Sequence, residues 1–129
     1  MAVTHTVTEL RYRSAEKSLE VAFDDGSRFV LPAEYLRVES PSAEVQGHGP
    51  DQKTIVPGRR HVGIMRIEPV GNYAVRLIFD DLHDSGIYSW AELHRLGTEQ
   101  ARLWAEYERA LAIKGLSRDP PARKPPPSH

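Results

Sequence analysis

The densest gathering of reactive side-chain types in this 129-residue chain is Phe79-Asp80-Asp81-Leu82-His83-Asp84-Ser85-Gly86-Ile87-Tyr88-Ser89-Trp90, where one histidine stands among three carboxylates. Imidazole and carboxylate suit zinc or iron, and the same pair can move protons near neutral pH. His48 lies in a segment punctuated by Gly47, Gly49 and Pro50, loose enough to approach from elsewhere in the chain. His83, His48 and Asp81 therefore form the candidate metal set, with iron or zinc as the cofactor. The competing reading pairs Asp80, Asp81 and Asp84 with Arg59 and Arg60, and gives Asp84 and Ser85 local turn hydrogen bonds.

Other chemistries lack their residues. No Gly-x-x-x-x-Gly-Lys-Ser/Thr phosphate loop and no Gly-x-Ser-x-Gly elbow is present. His5, His48, His61, His83, His94 and His129 all lack an aspartate two positions on, so the usual announcement of an oxygenase iron site is missing. Ser85 and His83 are two residues apart at a strand end, a spacing that does not set a base against a nucleophile. The expectation is a protein without a reaction of its own.

The elements that must position these residues read as an α+β fold of small antiparallel hairpins with three helices. Leu19, Val21 and Phe23 alternate with polar or small residues up to Asp24-Asp25-Gly26-Ser27, and Phe29 and Leu31 resume the alternation. Setting Phe23 opposite Phe29 and Val21 opposite Leu31 keeps all four on one face and predicts an odd-length loop. An earlier strand is expected around Val7 to Tyr12. Pro32 suits the first position of a short helix. From Ser40 to Arg60 a long loop is expected, and loops of that length are often functional. Val62 to Val70, Gly71-Asn72, and Tyr73 to Phe79 read as a second hairpin with a two-residue turn. Val70 then faces Tyr73, and counting outward sets Arg60 against His83 and Arg59 against Asp84. Ser89-Trp90-Ala91-Glu92 fits a capping box, with Gly97 ending that helix, Thr98 capping the next and Gly115 ending it. Leu103, Trp104, Tyr107, Ala110 and Leu111 form the buried stripe of the last helix.

Composition sets the remaining bounds. With 40% hydrophobic and 27% charged residues, 129 residues suffice for one domain with its own core. The domain is expected over 1–115, followed by a disordered Pro-rich basic tail over 116–129, where five prolines occur. The absence of cysteine removes thiolate sites and disulfides and makes the cytoplasm the expected compartment. A net charge of −1 gives no pull toward nucleic acid, and the basic stretch from Lys53 to Arg66 lacks aromatic interleaving. No apolar run approaches the ~20 residues of a membrane span. The expectations are no nucleic acid, no membrane, and a monomer or weak homodimer through a sheet edge.

Leu31-Pro32-Ala33-Glu34-Tyr35-Leu36-Arg37, Ser40-Pro41-Ser42-Ala43-Glu44-Val45 and the Phe79 to Trp90 segment together resemble the gamma-butyrobetaine hydroxylase-like N-terminal domain family, also known as DUF971. The resemblance runs over about residues 7 to 113 and is strongest to free-standing bacterial members. In the hydroxylases the resemblance implies a zinc-holding module with three cysteines after the Leu-Arg and one later histidine. His83 matches that histidine, and the cysteine positions fall at Ser40, Ser42 and Val45. A serine hydroxyl or a valine does not replace a thiolate around zinc. The same domain is found appended to ATPases that carry iron–sulfur clusters, which implies a protein partner of the iron–sulfur carrier ATPase type and a link to iron metabolism. Two readings follow. The first is a non-enzymatic interaction module whose surface comprises Ser40, Ser42, His48, His83, Asp84, Ser85 and Tyr88. The alternative is a metal-binding protein using His83 and nearby carboxylates.

Overall fold

The computed structural model describes residues 5–47, 53–81 and 84–120, with the backbone alone at 43, 44, 84 and 85. Two three-stranded antiparallel sheets carry the fold. The first holds β1 (Val7–Arg13), β2 (Ser18–Phe23) and β3 (Arg28–Pro32) in that order; the second holds β4 (Ile64–Val70), β5 (Ala74–Phe79) and β6 (Asp84–Ser89). Helices α1 (Ala33–Val38) and α2 (Ala43–Gln46) lie between the sheets in sequence, and α3 (Trp90–Thr98) and α4 (Gln100–Lys114) follow them. No described helix is long and apolar enough to cross a membrane.

The α+β class is as expected, and both hairpin registers need correction. Val21 faces Phe29 and Leu19 faces Leu31. The Phe23 N–H donates to the Ser27 carbonyl, so the loop is Asp24-Asp25-Gly26, with Gly26 at φ +88°. The loop is odd, as the side-chain pattern requires, but two residues shorter than expected. A three-residue loop with glycine in the left-handed region returns the chain within the natural strand twist. In the second hairpin Val70 faces Ala74 across Gly71-Asn72-Tyr73, and a bulge between Ile64 and Arg66 restores the parity. Tyr73 thereby stands exposed at the turn without a β4 partner, its carbonyl accepting the Trp90 N–H at 3.0 Å.

Strand β6 is the element the sequence hid, because Asp84-Ser85-Gly86 reads as a turn. Tyr88 faces Val75 and Ile87 faces Arg76, but Asp84 faces Ile78, which leaves one extra residue on β6. Gly86, at φ +84°, supplies the left-handed residue of that bulge. The Ser40 to Arg60 loop likewise contains α2.

One core joins both sheets. Leu19, Val21 and Leu31 of the first meet Val75, Leu77, Phe79 and Tyr88 of the second, with Leu36, Leu93, Leu96 and Leu103 from the helices. A smaller cluster of Val38, Val45, Val56, Tyr107 and Leu111 lies beside it, and Trp104 packs against both. The buried α4 residues Leu103, Tyr107 and Leu111 belong to the predicted stripe, whose other members, Trp104 and Ala110, are partly buried.

The helix ends differ in detail. Pro32 ends β3 and stands just outside α1. The Ser89 hydroxyl accepts the Glu92 N–H at 3.1 Å, completing half of the capping box, while the Glu92 carboxylate turns to Arg95 at 2.6 Å. Gly97 does not end α3, and Thr98 is its last residue, donating to the Arg95 carbonyl at 3.1 Å. Gly97 is instead a packing notch: a Cβ there would stand 2.4 Å from the Phe29 ring. Gly97→Ala is expected to destabilise by about 1–3 kcal/mol through overpacking, outweighing the ~1 kcal/mol gain in helix propensity. Thermal melts check this, and Phe29→Leu in the same chain should recover part of the loss.

The expected disorder from Leu116 onward is corrected as far as Pro120. The Gly58 and Arg60 N–H groups donate to the Ser117 and Arg118 carbonyls at 2.9 Å each. The remainder of the predicted tail, 121–129, lies outside the described residues.

Candidate functional site

Helix α1 follows β3 without a loop, so the Leu31 to Arg37 segment is held on both sides. Leu31, Ala33 and Leu36 are fully buried. The Tyr35 hydroxyl donates to the Leu96 carbonyl at 2.6 Å, and burial pushes its ionisation well above the usual tyrosine range. The Tyr88 hydroxyl donates to the Leu36 carbonyl at 2.5 Å. Arg37 Nε donates to Asp81 Oδ2 at 2.9 Å, and Arg59 Nε lies 2.8 Å from the same oxygen as an ion pair without hydrogen-bond alignment. Arg37 Nη1 is buried with no hydrogen-bond partner among the described residues.

These contacts tie the two sequence segments to each other. They also revise the candidate site. Tyr88 is 0% exposed, so it is a core residue and not a contact anchor. Ser40 is also 0% exposed; its hydroxyl donates to Ser42 Oγ at 3.1 Å and accepts the Ser42 N–H at 3.2 Å. Asp81 has one oxygen between two guanidinium groups, whose positive charge opposes a metal ion there. The acidic and basic ends of the second hairpin do meet, but through Asp81 and Arg59: the bulge returns the ladder to the counted register at Ile64 and Phe79, where the pairing stops, and Arg60 pairs with Asp119. His48 and His83, and the side chains of Asp84 and Ser85, lie outside the described residues.

What the fold brings together is Ser42 and β6. A Cβ added to Gly86 would lie 3.7 Å from Ser42 Cα and Cβ. The segment from Glu39 to Gln46 is internally tied: Gln46 Nε2 donates to the Ser40 carbonyl at 2.8 Å, and Lys53 Nζ reaches Glu39 at 2.6 Å. Burial raises the Glu39 carboxyl above its usual range, with Lys53 acting against it. Of the three cysteine-equivalent positions, Val45 is part of the smaller core cluster.

Among the described residues, sequence reasoning missed one constellation. His5, Asp25 and His94 come from the segment before β1, the β2–β3 turn and α3, and one ligand atom of each lies within 4.8 Å of the others. Asp25 was legible only as turn chemistry. The two histidines are 89 positions apart in the chain, with no spacing that links them. The Ser27 hydroxyl and N–H donate to the Asp25 carboxylate and lower its pKa to about 2, with His94 contributing less.

The model of the family described as "Gamma-butyrobetaine hydroxylase-like, N-terminal" matches residues 10–94. The chain belongs to this family. Two NMR solution structures of proteins 43% identical to it have the same fold, with TM-scores of 0.79 and 0.80. The first comparison covers 94% of this chain and 95% of the other, the second 100% and 96%. A crystal structure of a DUF971 family protein of unknown function from Acidithiobacillus ferrooxidans ATCC 23270 is 38% identical, with a TM-score of 0.60 over 71% of this chain and 92% of that one. No match was found among curated proteins. Within this DUF971 member, the Leu-Pro-Ala-x-x-Leu-Arg residues are explained as joints: buried apolar groups, a phenol bonded to α3 and an arginine bonded to Asp81 just beyond β5.

Proposed function

We propose that this DUF971 chain is a protein-interaction module without a reaction centre of its own, working through the face where Ser42 meets the start of β6. The observation that carries this reading is the approach of Ser42 to Gly86, which brings two segments more than forty residues apart in the chain to one place. The Tyr35 and Tyr88 phenols and the Arg37 guanidinium already have structural partners within the domain, which leaves Ser42 and the start of β6 as the part of the family segments offered to a partner. Ser42, His48, His83, Asp84 and Ser85 remain the contact residues of this proposal, and Ser40 and Tyr88 leave it.

The family resemblance makes an iron–sulfur carrier ATPase the partner class to test. Purified ATPase immobilised on a biosensor should bind the full chain and lose at least ~10-fold in affinity with Ser42→Arg, as expected when a bulky charge enters a contact. His83→Ala should weaken the same binding. Equal binding by all three proteins would remove this face from consideration.

A further inference from the structure

We propose that His5, Asp25 and His94 form a binding site for a divalent transition cation of the zinc type, separate from the interaction face and from the positions of the family's cysteines. His94 Nε2 lies 3.1 Å and His5 Nδ1 3.5 Å from Asp25 Oδ2. Zinc bonds of about 2.0–2.1 Å in a tetrahedron set ligand atoms roughly 3.3 Å apart, between these two distances. An imidazole pair with one carboxylate and no thiolate is a nitrogen–oxygen donor set suited to zinc, copper(II), nickel(II) or ferrous iron.

The second observation is an unused donor. His5 Nδ1 is buried and has no hydrogen-bond partner among the described residues, although a carboxylate oxygen stands nearby. A buried ring nitrogen without a partner is disfavoured, and an ion between it and Asp25 would satisfy it. The supporting shell is in place: Ser27 holds Asp25 Oδ1 through its hydroxyl and N–H, which leaves Oδ2 to the histidines. The Ser27 hydroxyl also lies 3.4 Å from His94 Nε2. Thr6 and Asp24 exchange hydrogen bonds of 2.9 and 3.2 Å, pinning His5 beside the turn. The Phe23 ring stands edge-on to both imidazoles, and Phe29 edge-on to His94, forming an apolar wall. Asp25 is 40% exposed, so the open side faces solvent and leaves room for water or a further ligand.

One feature changes on binding. The His5 and His94 rings are stacked, 3.5 Å apart and 7° from parallel. An ion lying in both ring planes requires them to open. The metal-bound form therefore has unstacked imidazoles.

The test is titration of the full chain with zinc alone, followed by calorimetry and by ring nitrogen–proton NMR. One equivalent should bind, moving the His5 and His94 ring signals and leaving those of the exposed His61 in place. His5→Ala, His94→Ala and Asp25→Asn should each weaken binding by ~10-fold or more, with circular dichroism showing that the fold persists. His5→Ala is the safest of these, because it lies outside every strand and helix. No binding at millimolar zinc, or binding that survives His5→Ala and His94→Ala but is lost with His83→Ala, would overturn the proposal.

Discussion

Replacing Tyr88 by alanine is expected to remove about 3–5 kcal/mol of stability, the range for deleting a large buried aromatic side chain. The side chain is fully enclosed between the two sheets and α1, and its hydroxyl is bonded to the Leu36 carbonyl. Tyr88→Phe keeps the ring and removes the donor, so its loss should be about 1–3 kcal/mol from the stranded carbonyl. Against a total of roughly 5–15 kcal/mol for a domain of this kind, the alanine variant approaches unfolding. Urea denaturation of the three proteins measures both steps. A Tyr88→Ala chain as stable as the parent would mean that this residue faces solvent, contrary to the structure.

The second large effect lies beyond the predicted end of the domain. Arg118 grips Glu34 with two hydrogen bonds of 2.8 and 2.7 Å and stacks over Trp104 with its guanidinium carbon 4.9 Å from the ring centroid. The Glu34 side chain is only 7% exposed, so removing the cation leaves a buried carboxylate without its charge partner. Breaking a buried pair in this way costs about 3–5 kcal/mol, and the partial exposure of Arg118 lowers the expectation to roughly 2–3 kcal/mol. Arg118→Ala should therefore melt well below the parent. Glu34→Gln with Arg118→Ala should lose less than the sum of the two single changes, because the pair is one unit. A chain cut after Gly115 should behave like Arg118→Ala or worse; unchanged stability would return residues 116–120 to the category of tail.

Much of the fold was legible because it depends on period and punctuation. The alternation of Leu19, Val21 and Phe23, the helical stripe Leu103, Tyr107 and Leu111, and the stop at Gly115, with φ +65°, are local signals that tertiary contacts reinforce. Register was less legible. A side-chain pattern fixes which face a residue takes but not which partner it meets, so the first hairpin kept its parity while every pair moved by two positions. Gly97 and β6 failed for a related reason: a glycine read as an end can be a notch for Phe29, or the pivot of a bulge. Long-range pairs such as Glu34 with Arg118, or His5 with Asp25, leave no spacing in the sequence at all. The Asp81 reading illustrates the limit well, since both the metal and the ion-pair alternatives used the same residue and only its distance to Arg37 and Arg59 separates them.

On the proposed function, the family segments divide between residues that join the sheets and residues that would meet a partner. Tyr88→Phe and Ser42→Arg test this together when each is measured for both denaturation midpoint and affinity for an iron–sulfur carrier ATPase. The account predicts that Tyr88→Phe lowers the midpoint while the folded fraction binds as the parent does, and that Ser42→Arg keeps most of the stability but loses affinity by ~10-fold or more. The reverse pattern, with binding lost in Tyr88→Phe and retained in Ser42→Arg, would contradict it.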